Sequence, residues 1–280
     1  MIVTKVTGVG TQRTARRGPD ELIVEEPMSI QLEGTLVSTT MRTPGNDYEL
    51  AAGFCLTEGL LADAPVLGVR YCAAGSAVGS EFNVVTVETG GRAPAPTPRL
   101  GNTSSSCGWC GSDQLDNLVA RLDKLPASAP ISLDVIAGVP DRVKSSQGLF
   151  DRTGSVHAAA AFTPHGEVLL MREDVGRHNA VDKVIGAMLL DDDLSLPATG
   201  LGLFVSGRAS IEMVQKAWAA GFSTLVAVSA PTALAVDAAR HADMVLAGFV
   251  RGSTFNVYAP ERLAPEVPES QSEPQIGHIP

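Results

Sequence analysis

Two cysteines three positions apart are the residues whose types and spacing could most directly do chemistry. Cys107 and Cys110 form a C-x-x-C pair, which can be half of a zinc site, a redox dithiol or a nucleophilic thiol with a neighbour. Zinc needs four ligands, yet neither Cys55, Cys72 nor the histidines show paired ligand spacing. A redox dithiol usually lies in a thioredoxin-like domain, whereas this pair follows a connector rich in Ser, Gly and Pro. The pair alone leaves all three alternatives open.

The neighbourhood of the pair favours a reactive thiol. Cys110 comes just before a predicted helix, whose free amide groups and dipole stabilise an anion and so lower the pKa of a thiol. Cys107 follows a predicted mobile connector, residues 90–106, from which a thiolate could collect sulfur from one partner and release it to another. An inert buried pair is the weaker alternative, because the surrounding glycines and serines make a poor core.

A second polar cluster runs from Arg172 to Lys183. It leaves a predicted strand, turns at Gly176 and enters a predicted helix, so its polar groups stand at the carboxyl end of a strand, where open α/β sheets bind ligands. His178 and Asp182 are four residues apart and therefore share a helix face. The alternative is an ordinary salt-bridged helix start.

Two later strand ends repeat this arrangement. Residues 206–210 and 229–232 each place small hydroxyl residues at the start of a predicted helix, where backbone amides can bind an anion. Neither segment matches a Walker or Rossmann glycine pattern, and ordinary helix caps are the alternative. After the last predicted strand, Arg251 adds a cation beside Gly252.

His157 invites a comparison with the zinc deaminases. Those enzymes use H-x-E followed by P-C-x-x-C, with the glutamate moving protons. Here Ala159 occupies the position of that glutamate, and the paired cysteines precede the histidine. Zinc deamination is therefore disfavoured, and we expect no intrinsic metal.

The elements that must position these groups predict an α/β protein. Alternating short apolar strands and helices in the second half predict a mostly parallel sheet covered on two sides. The first half predicts a small α+β domain. The expected divisions are a loose arm over 1–20 containing Arg13, Arg16 and Arg17, an α+β domain over 21–98, the cysteine loop and a helix over 99–130, an α/β domain over 131–260 and a disordered tail over 261–280.

Bulk composition excludes several functions. At 280 residues and 44% hydrophobic composition the chain can bury a core without disulfides or metal, yet no apolar run approaches the roughly 18 residues of a membrane helix. The opening residues lack the apolar region of a signal peptide, so we expect a cytoplasmic protein without membrane contact. A net charge of -10 disfavours nucleic acid as a partner.

Five segments together resemble the formate dehydrogenase accessory protein family, the sulfur carriers called FdhD, over roughly residues 20–262. They are the loop at 107–111, residues 156–159, the run 172–183, residues 206–208 and residues 249–252. The resemblance implies a sulfurtransferase that takes persulfide sulfur from a cysteine desulfurase and passes it to the molybdenum or tungsten bis-guanine-dinucleotide cofactor of formate dehydrogenase. It also implies a homodimer and a larger domain with a cytidine-deaminase-like, three-layer α/β fold without zinc.

The resemblance assigns roles to individual residues. Cys107 would carry the persulfide and Cys110 would be the second thiol. The family's cofactor-binding stretch matches residues 249–254, and phosphates would suit the cations and helix starts nearby. The expected cofactor-binding residues are Asp174, His178, Ser206, Gly207, Arg208, Phe249, Val250, Arg251, Gly252, Ser253 and Thr254. A non-catalytic cofactor chaperone and a zinc-binding deaminase-like protein are the alternatives.

Overall fold

The structure is a computed structural model that describes residues 1–72, 76–96, 111–259 and 261–263, without the side chains of residue 11 and residues 111–114. Cys107 and Cys110 therefore lie outside the described residues, as does most of the predicted tail. None of the helices in the described ranges combines the length and the apolar character that crossing a membrane requires.

The chain begins with a β-hairpin instead of the predicted loose arm. Strands β1 (Ile2–Thr7) and β2 (Thr14–Pro19) pair in antiparallel register from Ile2↔Pro19 to Thr7↔Thr14. The prediction failed because the hairpin buries almost nothing, so its sequence lacks the alternation of apolar and polar residues that marks a half-buried strand.

A four-stranded sheet and one helix form the predicted small α+β unit. The sheet consists of β3 (Glu26–Leu32), β4 (Thr35–Arg42), β5 (Gly68–Tyr71) and β6 (Val84–Glu88), in the order β4-β3-β6-β5. Helix α1 (Asp47–Thr57) packs on it. Met28, Ile30 and Leu32 alternate into the core and are fully buried. Residues 20–25, directly before β3, form neither helix nor strand.

The second half forms a six-stranded sheet. Its strands are β7 (His157–Phe162), β8 (Val168–Asp174), β9 (Gly202–Val205), β10 (Thr224–Ala227), β11 (Val245–Arg251) and β12 (Thr254–Ala259), in the order β12-β11-β10-β9-β7-β8. Only β9, β10 and β11 are parallel to one another, whereas β7, β8 and β12 run antiparallel to their neighbours. The expectation of a mostly parallel sheet was wrong, because hairpins join β7 to β8 and β11 to β12.

Helices cover both faces of this sheet. On one face lie α2 (Gly111–Arg121), α5 (Arg177–Leu190), α6 (Ile211–Ala219) and α7 (Ala233–Ala242), and on the other lies α3 (Leu133–Lys144). A short helix, α4 (Gly148–Thr153), follows α3. Two separate apolar clusters, one on each face, make this half a three-layer α/β unit, as the sequence predicts.

Helices α1 and α5 join the two halves at very close range. A Cβ atom added to Gly53 would overlap the carbonyl oxygen of Asp182, and one added to Gly186 would overlap that of Glu49. Glycine at both positions therefore allows the two helix backbones to touch. This contact sets how the small sheet and the large sheet are held together.

Candidate functional site

The predicted cofactor-binding segments converge on one edge of the six-stranded sheet. Strands β8, β9, β10 and β11 end at this edge. Strand β7 starts there, because it runs antiparallel to both β8 and β9. His157 consequently pairs with Asp174, and the turn at residues 252–253 lies at the same edge, where Arg251 pairs with Thr254. The strand directions thus gather five sequence segments that are up to about a hundred residues apart.

Hydrogen bonds between the loops make this edge continuous. Ser229 donates from its backbone amide to Gly207 O at 3.4 Å, and Phe249 donates to Ser229 O at 3.2 Å. Thr232 N donates to Ala209 O at 3.1 Å. The loops after β9, β10 and β11 therefore hold one another in place, and the amides of these residues are already used within the protein.

The two predicted helix starts behave differently. Thr232 caps α7, because its Oγ1 accepts from Ala235 N at 3.3 Å, so the ordinary cap that the sequence offered as an alternative is present there. Ser210 precedes α6 without forming such a bond, and its buried Oγ has no partner in the described ranges. Of these two helix starts, only the one at α6 retains an uncommitted hydroxyl.

His157 and Ser206 form the centre of the edge. Ser206 Oγ accepts from Ala158 N at 3.0 Å and lies 3.3 Å from His157 Nδ1. Burial lowers the pKa of His157, and the nearby Arg177 and Arg208 lower it further. A neutral imidazole at this position donates one hydrogen bond from one ring nitrogen and accepts one at the other. The sequence-based expectations did not include His157 or Arg177 among the cofactor-binding residues.

Arg177 and His178 open helix α5 beside this pair. Burial lowers the pKa of His178 to about 4, with the charges of Lys216 and Arg177 acting in the same direction. The Nε atom of Arg177 is buried without a hydrogen-bond partner in the part of the chain that the structure describes. Gly207 lies beside both Arg177 and His157, since a Cβ there would be in ordinary contact with each side chain at 3.5 Å.

Phe249 stands out near the end of β11, where the pairing with β12 is irregular. It is 43% exposed and adopts φ of 55°, a left-handed conformation that non-glycine side chains rarely take. Val250 is buried, whereas Arg251 and residues 252–254 are exposed. A strained backbone that exposes an aromatic ring beside a cation is a feature of many ligand-binding sites.

Asp174 faces the small sheet instead of the open edge. It is fully buried, and its Oδ1 accepts from Gly176 N at 2.8 Å and from Asn179 Nδ2 at 3.0 Å. Its Oδ2 accepts from Thr43 N at 3.1 Å and pairs with Lys183 Nζ at 2.7 Å. This arrangement leaves no free face for a ligand, so Asp174 holds the turn before α5 in place. The buried position of Asp174 does not fit the expected direct contact with a cofactor.

The rest of the polar run also binds the two halves together. Arg172 forms a two-pronged ion pair with Glu49 of α1, at 2.5 and 2.8 Å. Asp182 pairs with Lys216 at 2.8 Å and accepts from Thr57 Oγ1 at 2.9 Å, with all three groups buried. Much of the polar cluster at residues 172–183 therefore forms salt bridges, which was the alternative to a ligand site. The partners are distant in sequence and not four residues away on the same helix.

Helix α2 forms as predicted directly after Cys110. Leu118 is buried, and Arg121 donates to the backbone oxygens of Thr57 and Glu58 at the end of α1. Just beyond the helix, Asp123 O accepts from Trp218 Nε1 at 2.7 Å. The far end of the helix is therefore fixed against α1 and α6, while its first turn follows the cysteine loop in the chain.

The two cysteines that the structure describes do not form a metal site. Cys55 is fully buried, and burial raises the pKa of its thiol to about 12. Cys72 is half-buried, with its Sγ 2.9 Å from Ser80 Oγ. Within the described ranges, no three His, Cys, Asp or Glu side chains are grouped so that they could hold a metal ion.

Comparison with known proteins gives a consistent result. The profile of a family described as FdhD/NarQ matches residues 23–264. A "Sulfur carrier protein FdhD" from Streptomyces coelicolor is 49% identical over 249 residues, which cover 86% of this chain and 88% of the relative. One of the same name from Corynebacterium efficiens is 46% identical over 275 residues, covering 92% and 96%.

A solved structure supports the fold. The crystal structure of a candidate formate dehydrogenase accessory protein from Desulfotalea psychrophila superimposes with a TM-score of 0.74. It covers 94% of this chain and 99% of its own, at 22% sequence identity. At that identity the likeness concerns the fold alone.

Proposed function

The chain belongs to the FdhD/NarQ family, and on that premise we propose that it carries persulfide sulfur on Cys107 and delivers it to a guanine-dinucleotide cofactor of molybdenum or tungsten. The observation that carries the proposal is the 49% identity to a protein named as a sulfur carrier, over most of both chains. The donor would be a cysteine desulfurase and the client formate dehydrogenase. We further propose that two copies work together in the cytoplasm.

Loading and release of the sulfur need only the donor's persulfide and the thiols of Cys107 and Cys110. The Cys107 thiolate attacks the terminal sulfur of the donor's persulfide, which forms Cys107-S-SH and releases the donor's cysteine thiolate. Attack of the Cys110 thiolate on the sulfur bonded to Cys107 Cβ then forms a Cys107–Cys110 disulfide and releases hydrosulfide. A thiol reductant would return both cysteines to the starting state.

The described sheet edge suits the anionic part of the cargo. Arg208 and Arg251 are exposed cations, and phosphate oxygens are good acceptors for guanidinium groups. The Phe249 ring offers a flat surface on which a guanine base could stack. His157 and His178, held neutral by burial and nearby cations, add hydrogen-bonding groups without adding negative charge.

A non-catalytic cofactor chaperone is the second candidate. Within the described ranges, the groups named on the sheet edge are cations, imidazoles, hydroxyls and an aromatic ring. Such groups can bind an anionic nucleotide, but they cannot transfer sulfur. In that case the cysteines would only grip the cargo. The chaperone and the sulfur carrier share the binding edge, and they differ in whether a persulfide forms on the native protein.

Persulfide mapping separates the two candidates. After incubation with a cysteine desulfurase and cysteine, the peptide containing Cys107 should gain about 32 mass units, one sulfur atom. Cys107→Ala should abolish the gain, while Cys72→Ser, a matched control at a thiol in the small sheet, should keep it. Full labelling of the Cys107→Ala protein would contradict the sulfur carrier. Native protein that retains the cofactor yet forms no persulfide would support the chaperone.

A further inference from the structure

The β1–β2 hairpin faces solvent on both sides. In the described part of the chain it forms its own two-stranded sheet, and ten of its twelve strand residues are exposed. Ile2 and Val6 are 62% and 60% exposed although they are large and apolar. A lone two-stranded hairpin is only marginally stable in water, so this one has little to hold it unless another surface covers it.

The hairpin also carries an unusual concentration of positive charge. Lys5 lies directly opposite Arg16, an arrangement in which like charges destabilise strand pairing. Lys5 is paired with Asp20 at 3.2 Å, but Arg13, Arg16 and Arg17 form no ion pair within the described ranges. The family profile starts at residue 23, so the hairpin lies outside the region on which the family assignment rests.

An acidic loop elsewhere on the chain has the complementary character. Asp191, Asp192 and Asp193 follow α5, all three are exposed, and none forms an ion pair in the region that the structure describes. Asp191 Oδ1 accepts from Asp193 N at 2.8 Å, which holds the loop in a tight turn. Leu190, directly before it, is 40% exposed. The loop thus presents three negative charges beside one apolar side chain.

The hairpin presents the matching combination. Directly opposite residues of an antiparallel pair share a face, so Arg17 lies on the same face as Ile2 and Val6. Residues 1–20 contain four basic and one acidic side chain, so a net charge of -10 for the whole chain leaves -13 on residues 21–280. The hairpin segment and the rest of the chain therefore carry net charges of opposite sign.

We propose that the hairpin of one copy docks on the Asp191–Asp193 loop of a second copy, and that the two copies exchange hairpins symmetrically. In a two-fold dimer each contact occurs twice, so each basic hairpin would meet the three aspartates of the other copy. The proposal rests on the two-copy assembly stated above and is independent of sulfur transfer. Nucleic acid is a poorer partner for the hairpin, because the whole chain carries a net charge of -10 and phosphates repel such a protein.

Charge exchange between the two surfaces tests the proposal. The dimer dissociation constant of the full chain is measured by sedimentation at low salt. Reversal of the hairpin, Arg13→Glu/Arg16→Glu/Arg17→Glu, should raise it about tenfold or more. Reversal of the loop, Asp191→Lys/Asp192→Lys/Asp193→Lys, should do the same. Combining all six changes should restore it, because the opposite charges meet again.

A matched control distinguishes the contact from general repulsion. The changes Arg92→Glu, Lys124→Glu and Lys144→Glu alter the net charge by the same amount at exposed positions elsewhere, and they should leave the dimer unchanged. An equal loss in this control, or no recovery in the six-fold variant, overturns the docking. A wild-type monomer overturns both the docking and the two-copy assembly, whereas persulfide loading of Cys107 reports separately on sulfur transfer.

Discussion

Gly53 of α1 and Gly186 of α5 meet backbone to backbone, and each occupies the place where a side chain of the other helix would otherwise stand. Their contact brings the backbones of α1 and α5 together. Asp182 of α5, which pairs with Lys216 of α6, also accepts from Thr57 Oγ1 at the end of α1, and this buried hydrogen bond depends on the close approach of the helices.

Gly186→Ala should strongly destabilise the protein. The new Cβ would overlap the backbone of Glu49, so the helices must separate, and overpacking of this kind costs about 1–3 kcal/mol or more. Chemical denaturation measures the loss. Gly148→Ala, at a glycine with open space around its Cβ position, is the control. Equal stability of both variants would contradict the backbone contact.

Lys216→Met should also destabilise the fold, by about 3–5 kcal/mol, because it leaves the buried Asp182 carboxylate without its partner. Adding Asp182→Leu to this variant should recover much of the loss, since no uncompensated charge remains. Denaturant titrations of Lys216→Met, Asp182→Leu and the double variant give the coupling energy between the two side chains. Additive losses would argue against a direct pair.

His178 should make the free energy of unfolding depend on pH. Its pKa is about 4 in the folded protein and about 6.5 when unfolded, so below pH 6.5 the unfolded chain takes up a proton that the folded chain does not. The free energy of unfolding should therefore fall, by at most about 3 kcal/mol, as the pH drops from 6.5 to 4. His178→Gln should remove this part of the decline, whereas His165→Gln, at an exposed position, should not.

Phe249→Gly should separate stability from binding. Glycine adopts a positive φ without strain, so the free energy of unfolding should stay constant or rise by about 1 kcal/mol. The affinity for GDP, a probe of the guanine nucleotide, should fall about tenfold because the stacking ring is lost. Phe249→Leu keeps the strain and loses the ring, so it should lose affinity without gaining stability. Unchanged GDP binding in both variants would remove Phe249 from the binding edge.

Alkylation should distinguish the two described thiols. Cys55 is fully buried and its pKa is about 12, so iodoacetamide at pH 7.5 should label it about a hundredfold more slowly than Cys72 in the native protein. Peptide mass spectrometry measures both rates in one sample, and urea should equalise them. Rapid native labelling of Cys55 would mean that α1 does not pack as described.

Local pattern predicted the elements that bury apolar residues. The second half alternates apolar runs with polar turns, which predicts short strands followed by helices, and the structure contains β9, α6, β10 and α7 in that order. The sequence pattern did not predict helix α3, because Pro140 interrupts it. Strand β12 was also missed, although Phe255, Val257 and Ala259 alternate with more polar residues as in a half-buried strand.

The site was predictable as a set of strand ends but not as a set of contacts. The carboxyl ends of β9 to β11 do gather residues 206–208 and 249–254. The buried role of Asp174 was not predictable, because Thr43 and Lys183 reach it from elements whose relative placement no local pattern fixes. The roles of Cys107 and Cys110 stay predictions.

The candidate site at the edge of the six-stranded sheet depends on the small sheet. Lys183 donates to the backbone of Thr43, and Asn179 donates to Met41 O, so the turn that presents Arg177 is held by residues of β4 and the loop after it. A fragment that begins after the cysteine loop would expose these charged and amide groups to water with nothing to replace their partners. Evolution or engineering can therefore vary the loops at the edge more freely than it can transplant the edge to another protein.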